Sequence, residues 1–240
     1  MKVLSAPVPP SPLGLLRESL TVLEVPRLLW RVPALARQPR GTGAPVLVIP
    51  GYAAGDTSTT LLRAYLRYLG YDARGWGLGI NGGQLGKLVP QVVARVQALA
   101  ESSGQPVHLI GWSLGGTLAR DVVRHCPQQV AQVLTLGSPA VGGPKYTVTA
   151  PLYRLQGMNV DAIAERIDTR NQTPLPVPLT AIYTRHDAVV AWEACIDPLA
   201  GPGVRHEEVR TTHLGLVLAP EALLCVARCL NEHKSEQPDV

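Results

Sequence analysis

The chain lacks the sequence signals that mark metal-binding, nucleic-acid-binding and membrane-spanning proteins. It has only four cysteines, no C-x-x-C pair and no helical segment with two histidines at ligand spacing, so neither a metal site nor a disulfide framework is indicated. The net charge is +4, but the 22 basic residues form no block of five or more, which disfavours a nucleic-acid partner. The glycine-rich residues 75–83 lack the lysine of a P-loop, and no cofactor is expected.

The N-terminus shows no export signal and no membrane span. Lys2 is followed by a proline-rich stretch instead of a continuous apolar segment, which favours a cytoplasmic protein. Residues 13–37 are apolar, but the charges within them exclude a span through hydrocarbon. Residues 1–40 are therefore interpreted as an arm that packs its leucine and valine face on the rest of the protein. The alternative is peripheral contact of residues 13–37 with a lipid interface or a partner.

The remaining chain has the size and pattern of one α/β domain. With 240 residues and 46% hydrophobic residues it buries one substantial core, and residues 41–233 are assigned to that domain, with a tail at 234–240. Short apolar strands alternate with helical stretches, which predicts a doubly wound, mostly parallel sheet flanked by helices. The segments that show this alternation are 45–49, 58–69, 71–76, 84–101, 106–111, 114–125 and 130–136.

Residues 107–117, V-H-L-I-G-W-S-L-G-G-T, carry the most specific signal. They indicate a buried strand, a sharp turn and a helix, with Ser113 at the apex of a G-x-S-x-G turn. Gly111 and Gly115 remove side chains that would clash where the strand meets the helix. Ser113 is therefore predicted to hold a strained backbone conformation and to expose its hydroxyl as a nucleophile.

With this motif the chain resembles the α/β-hydrolase superfamily, and more narrowly its bacterial esterases and lipases, over about residues 44–230. The resemblance implies a catalytic serine, an acid and a histidine in that order along the chain, each on a loop after a strand. It also implies a small-molecule or lipid ester as substrate. These residues predict no particular oligomeric state.

A serine hydroxyl needs a neighbouring base, and four histidines follow Ser113. His125 lies at a helix end, His186 is interpreted as a loop surface residue, and His206 as an exposed strand position. His213 lies just past that strand and before a terminal helix, which matches the catalytic histidine of the superfamily. His206 is the alternative.

The histidine needs a carboxylate that fixes its tautomer. Asp187 follows a strand predicted within residues 177–183 and is favoured, because it resembles the acid-bearing segment of the superfamily. The other interpretation of Asp187 is a cap for a helix near Trp192. Asp197 is the second candidate for the acid.

Acyl transfer also needs amide donors for the developing oxyanion. One is the N–H of Leu114, at the N-terminus of the helix after the serine. The resemblance implies Tyr52 N–H as the other, with Ala53 as the alternative. The chain departs from the superfamily at Pro50, where many relatives have a histidine that organises this loop.

Residues 138–173 separate two predicted strands and are too long for a plain loop, so they are predicted to form a small lid. Within residues 152–167, apolar side chains including Leu155 and Met158 are expected to cover the substrate. Trp76 and Trp112 are further candidates for lining the pocket.

The sequence thus favours a metal-independent serine ester hydrolase acting on short- to medium-chain acyl esters. An acyltransferase or thioesterase with the same three residues is the alternative, because the pocket and not the triad decides between them. A binding protein without activity has no need for serine, acid and histidine in this order.

Overall fold

The computed structural model describes residues 7–199 and 203–236. Its centre is one sheet of six parallel strands in the order β2-β1-β3-β4-β5-β6. The strands are β1 (Pro45–Ile49), β2 (Asp72–Gly75), β3 (Val107–Trp112), β4 (Val130–Leu136), β5 (Leu179–Tyr183) and β6 (Val204–Glu208). The predicted doubly wound α/β sheet is confirmed.

Helices cover both faces of this sheet. They are α1 (Leu15–Glu18), α2 (Glu24–Ala36), α3 (Thr60–Tyr68), α4 (Leu85–Ser103), α5 (Leu114–His125), α6 (Ala150–Leu155), α7 (Val160–Arg170) and α8 (Pro220–Glu236). Helices α3 and α8 pack on one face and α4 and α5 on the other. Helix α8 extends into the residues assigned to a tail, and residues 237–240 lie outside the described part of the chain.

The central strands are buried from end to end, because helices cover both of their faces. Every residue of β1 and β3 is buried, which explains why these strands are nearly continuous apolar runs in the sequence. The strand order reverses around β1, so the loops that follow β1 and β3 diverge and leave a crevice at the carboxyl edge of the sheet. This edge also carries the loops after β4, β5 and β6.

The segment between β4 and β5, where a small lid is predicted for residues 138–173, is mainly helical. It contains a 3-10 turn at Gly143–Tyr146 followed by α6 and α7. These helices have an apolar cluster of their own, built on Ala150, Tyr153 and Val160, with Tyr52 packed against it. The cluster attaches the insertion to the loop after β1, at the same edge of the sheet.

The N-terminal arm packs in the orientation opposite to the predicted one. Its buried side chains include the carboxylates Glu18 and Glu24, whereas most of its leucines and valines are exposed. The prediction that its leucine and valine face covers the domain is therefore wrong. The two carboxylates face inward because they find hydrogen-bond donors there. Within the described residues, no helix is long and apolar enough to cross a bilayer.

Candidate active site

Ser113 lies in the turn between β3 and α5 with a backbone conformation that few side chains adopt. Its φ is 54° and its ψ is −124°. Such a conformation costs about 1–3 kcal/mol and persists only where the surrounding structure imposes it. Here the Ser113 N–H donates to the carbonyl of Leu136 at 2.8 Å, and its carbonyl accepts from Gly116 at 3.0 Å. The turn therefore holds the serine in a strained conformation at the end of a buried strand.

The glycines of the turn are required by the packing between strand and helix. A Cβ at Gly111 would overlap the backbone of Gly115, and one at Gly115 would overlap the carbonyl of Ile49 on β1. A Cβ at Gly116 would overlap the Ser138 side chain. These contacts explain why the motif has glycine on both sides of the serine.

His213 and Asp187 meet in a buried hydrogen bond. His213 Nδ1 lies 2.7 Å from Asp187 Oδ2, and the two side chains are only 3% and 1% exposed. The other carboxylate oxygen, Oδ1, accepts hydrogen bonds from the N–H groups of Val189 at 2.8 Å and Val190 at 2.7 Å. Gly137 leaves room for the pair, since a Cβ there would lie 3.0 Å from His213 Nδ1. The carboxylate is thus held on one side while its other side faces the imidazole.

The pKa of His213 is raised above its ordinary value of 6.5. Burial lowers it, because the charged imidazolium is poorly solvated there. The negative charge of Asp187 and its hydrogen bond to the ring raise the pKa, and the charge of Glu18 raises it further, so the net change is upward. With Nδ1–H donated to Asp187, the neutral ring carries its free lone pair on Nε2.

A cavity of about 130 Å³ joins these parts. Ser113 and His213 both line it, together with Trp112, Tyr52 and Leu114. The N–H of Leu114 opens α5, where the first amides of a helix have no partner within the helix. The structure therefore brings the serine, the histidine and the predicted amide donors to one small space.

The geometry favours Tyr52 over Ala53 as the second amide donor. Ala53 has a φ of 56°, and its N–H donates to the carbonyl of Asn81 at 2.8 Å, so that group is already engaged. Tyr52 lines the cavity beside Ser113.

Asn81 organises this loop, a role that sequence analysis did not indicate. It is fully buried, and its Nδ2 donates to the Pro50 carbonyl at 2.9 Å. Its backbone N–H also donates to Ala54 at 2.8 Å, and its Oδ1 accepts from Gly83 at 3.1 Å. Asn81 thus supplies hydrogen bonds to the loop that begins at Pro50.

Glu18, on the N-terminal arm, is a second residue that the sequence did not indicate. Its carboxylate is buried and accepts three backbone N–H groups: Ala188 at 3.0 Å, His213 at 3.2 Å and Leu214 at 2.9 Å. Ala188 directly follows Asp187. One side chain of the arm therefore joins the loop of the acid to the loop of the histidine.

The alternative acid and base contact each other, away from the Asp187–His213 pair. His206 is half-buried instead of exposed as predicted, and its Nε2 accepts the Asp197 N–H at 2.9 Å. The Asp197 carboxylate forms a buried ion pair with Arg120 at 2.6 Å. His186 is exposed, as its loop position suggested.

A groove of about 1070 Å³ lies between α4 and α7 and adjoins the cavity. Leu114, Tyr153 and Pro144 line both spaces, so the groove and the cavity are adjacent. The groove is lined mainly by apolar side chains, among them Leu85, Val89, Val93, Met158, Ile163 and Ile167.

The four residues predicted to line a pocket have different positions. Met158 lines the groove and Trp112 lines the cavity. Trp76 is fully buried in the core and its indole N–H donates to the Gly79 carbonyl at 3.0 Å, so the prediction that it lines the pocket is wrong. The prediction for Leu155 is also wrong, because its side chain is 83% exposed at the end of α6.

No cluster of three or more potential metal ligands among His, Cys, Asp and Glu is present in the part of the chain that the structure describes. The four cysteines are buried and form no disulfide bonds. Asp121 and Arg170 form an ion pair at 2.6 Å beside the groove, and burial raises the pKa of Asp121 to about 6.

Comparisons with known proteins show which folds this architecture resembles. Residues 81–174 match the family model of palmitoyl protein thioesterase, and no curated protein matches the sequence. A metagenome-derived lipolytic enzyme is similar in structure with a TM-score of 0.61 at 17% identity, over 82% of this chain and 96% of that one. A monoacylglycerol lipase of Paleococcus ferrophilus gives 0.60 at 13% identity, over 80% and 96%.

A deformylase of Pseudomonas putida S16 is also similar, with a TM-score of 0.56 at 17% identity over 80% of this chain and 94% of that one. At these identities the likeness concerns the fold. The chain has the α/β-hydrolase fold.

Proposed function

We propose that this protein is a serine ester hydrolase that forms an acyl-enzyme on Ser113. The observation that carries the proposal is the buried Asp187–His213 hydrogen bond, 2.7 Å long, beside the cavity that Ser113 also lines. A buried carboxylate that accepts Nδ1–H leaves Nε2 as the base, which is the arrangement that activates a serine hydroxyl. Tyr52 and Leu114 amides are the proposed oxyanion donors.

In the proposed reaction, His213 Nε2 takes the proton of the Ser113 hydroxyl as Oγ bonds to the ester carbonyl carbon. The carbonyl oxygen becomes an oxyanion and accepts hydrogen bonds from the amides of Tyr52 and Leu114. His213 then gives its proton to the leaving oxygen, and the alcohol departs. A water that loses a proton to His213 then attacks the acyl carbon. His213 returns this proton to Ser113 Oγ as the bond between Oγ and the acyl carbon breaks, which releases the carboxylic acid and restores the hydroxyl.

The apolar lining of the groove supports the proposal that it binds the acyl chain of the substrate, and that this chain is uncharged and of short to medium length. Its apolar part begins at Leu114 and reaches the Asp121–Arg170 ion pair, which lies two turns further along α5. Seven residues of helix span about 10 Å. Beyond that distance an alkyl chain would displace water from the charged groups of Asp121 and Arg170 without offering them a hydrogen bond, which costs free energy.

Substituting Ile163, whose side chain lines the groove, should shorten the preferred acyl chain. Ile163→Trp narrows the groove, so kcat/KM should fall roughly fourfold for each methylene that is no longer buried, at about 0.8 kcal/mol per methylene. The shortest ester should be nearly unaffected. The measurement is kcat/KM over p-nitrophenyl esters of graded length, with Leu155→Trp, at an exposed position of the same insertion, as control. An unchanged length profile in Ile163→Trp would show that acyl chains do not use the groove.

A thioester is the second candidate substrate, and the match of residues 81–174 to a thioesterase family model favours it. Both reactions use the same three residues and differ in the leaving atom. Comparing kcat/KM for an oxygen ester and a thioester of the same acyl chain decides between them. A preference for the thioester that exceeds the ratio of the two alkaline hydrolysis rates, measured without protein, assigns the thioesterase.

Glu18 is expected to act as a positioning residue for His213. Glu18→Gln keeps an oxygen acceptor but removes a charge that raises the pKa of His213, so the acidic limb of the kcat/KM profile should move to lower pH. Glu18→Ala removes all three hydrogen bonds and should lower kcat/KM at least about tenfold. The wild-type limb should lie above pH 6.5, because the pKa of His213 is raised.

The matched control is Glu24→Gln. Glu24 is a buried carboxylate on the same arm, but it accepts from Thr211 at 2.8 Å and pairs with Arg27 at 3.0 Å. If Glu24→Gln moved the acidic limb as far as Glu18→Gln does, the effect would belong to arm docking in general and not to Glu18.

A further inference from the structure

The N-terminal arm directs its two carboxylates toward the protein and most of its large apolar side chains toward solvent. Its inward stripe repeats every three or four residues and includes Glu18, Thr21, Glu24 and Leu28. Thr21 contacts Thr212, and Arg27 joins the arm to α8 through an ion pair with Glu221 at 2.7 Å. The arm is thus attached by these polar contacts, with Leu28 and Leu35 packed on the core near its end, and most of its large apolar side chains stay outside, unlike those of an ordinary amphipathic surface helix.

The outer side of the arm carries many exposed large apolar side chains. They include Leu13 (78% exposed), Leu16 (75%), Leu20 (52%), Leu23 (55%), Leu29 (69%) and Trp30 (84%). Elsewhere in the described residues, exposed large apolar side chains are fewer and scattered along the chain. An apolar surface of this kind marks a site of contact with another molecule or with a membrane.

The charges of the arm select the kind of surface that covers this face. Arg17, Arg31 and Arg37 are exposed, whereas Glu18 and Glu24 are buried against the domain. The outward charge of the arm is therefore basic. Leucine, tryptophan and arginine on one exposed helical face are the side chains that insert at the boundary of acyl chains and anionic headgroups.

We infer that the outer face of the arm, residues 13–32, binds the surface of an anionic lipid bilayer and lies in the plane of the interface. The apolar side chains enter the headgroup region, and Arg17 and Arg31 contact anionic headgroups. Leu214, whose N–H is held by Glu18, lines the Ser113 cavity and is 40% exposed. The arm therefore borders the cavity at Leu214, which under the proposed function puts the site beside a lipid ester.

The test is co-sedimentation of the full-length protein with vesicles of phosphatidylcholine alone and of phosphatidylcholine mixed with phosphatidylglycerol. Binding should be stronger to the mixed vesicles and weaken as salt is added. Tryptophan emission should shift to the blue on binding, because Trp30 is 84% exposed, whereas Trp76 and Trp112 are buried and Trp192 is partly buried and stacked on Tyr183. Equal binding to both vesicles, or none to either, would overturn the inference.

Variants separate the arm from other surfaces. The double variant Leu16→Ser, Trp30→Ser should lower the partition coefficient at least about tenfold, and Arg17→Gln about fivefold on anionic vesicles only. Leu155→Ser, at 83% exposure on α6, is the matched control and should bind like the wild type. Loss of binding in the control and not in the arm variant would assign the lipid contact to the insertion.

Two further readouts separate this inference from its alternatives. Ser113→Ala should bind vesicles like the wild type. Vesicle binding by a wild-type protein that has no esterase activity would count against the proposed function alone. Analytical ultracentrifugation without lipid tests a second copy of the chain as the occupant. A dimer that dissociates in the Leu16→Ser, Trp30→Ser variant, with no vesicle binding by the wild type, would replace the bilayer by that copy.

Discussion

Replacing Ser113 by alanine should lower ester turnover by at least about 10³-fold while the protein stays folded. The substitution removes one oxygen atom and leaves the turn, its glycines and the backbone hydrogen bond to Leu136 in place. The residual rate comes from the oxyanion donors and substrate binding, which do not need the hydroxyl. The measurement is kcat on p-nitrophenyl esters, with circular dichroism and thermal unfolding to show that the fold is retained.

The control for this experiment is Ser102→Ala, at an exposed position on α4. It should have wild-type activity. A serine-directed phosphonate should inactivate the wild type and add its mass to the peptide that contains Ser113. Inactivation with the label on another residue would contradict the assignment of the nucleophile.

Asp187→Asn should have the next largest effect, a loss of about 10³- to 10⁴-fold in kcat near neutral pH. Asp187 Oδ1 accepts two backbone N–H groups, so the amide oxygen of asparagine takes that position and its NH₂ group faces His213 Nδ1. An NH₂ donor requires Nδ1 to be the acceptor, and the proton of the neutral ring moves to Nε2. A protonated Nε2 cannot take the proton of Ser113.

The loss should appear in kcat more than in KM, since the acid acts on the base and not on substrate binding. His213→Ala should be impaired to a similar extent, because the two residues act as a unit. His206→Ala is the comparison, since His206 accepts the Asp197 N–H in another part of the molecule. If His206→Ala abolished turnover and His213→Ala did not, the base would have been assigned to the wrong histidine.

The sheet and the serine turn could be predicted because their signals are local. A buried parallel strand is a short apolar run, and β1 and β4 have the predicted bounds, as does α5. The G-x-S-x-G turn is determined by overlaps within a few residues, such as that between a Cβ at Gly111 and Gly115. The loops of Ser113, Asp187 and His213 lie at one edge of the sheet because β3, β5 and β6 all run in the same direction.

The roles of Glu18 and Asn81 could not be predicted, since both depend on contacts between distant parts of the chain. Glu18 is 195 residues from His213, and Asn81 is 31 residues from Pro50. No periodicity or spacing records which buried amide a side chain will reach. The predictions that Trp76 and Leu155 line the pocket were wrong for the same reason. The sequence does not show whether a large apolar side chain lies in a core, in a pocket or at an exposed helix end.

The sequence by itself determined the alternation of strands and helices and the position of the strained serine, because backbone sterics and apolar periodicity act within a few residues. The tertiary structure alone decided which face of the N-terminal arm is inside. The apolar pattern of residues 13–32 favours burial of leucine, but unpaired amides in the loops of Asp187 and His213 draw Glu18 inward. A buried carboxylate with three donors is satisfied, whereas buried amides without an acceptor are costly, and this leaves the leucines outside.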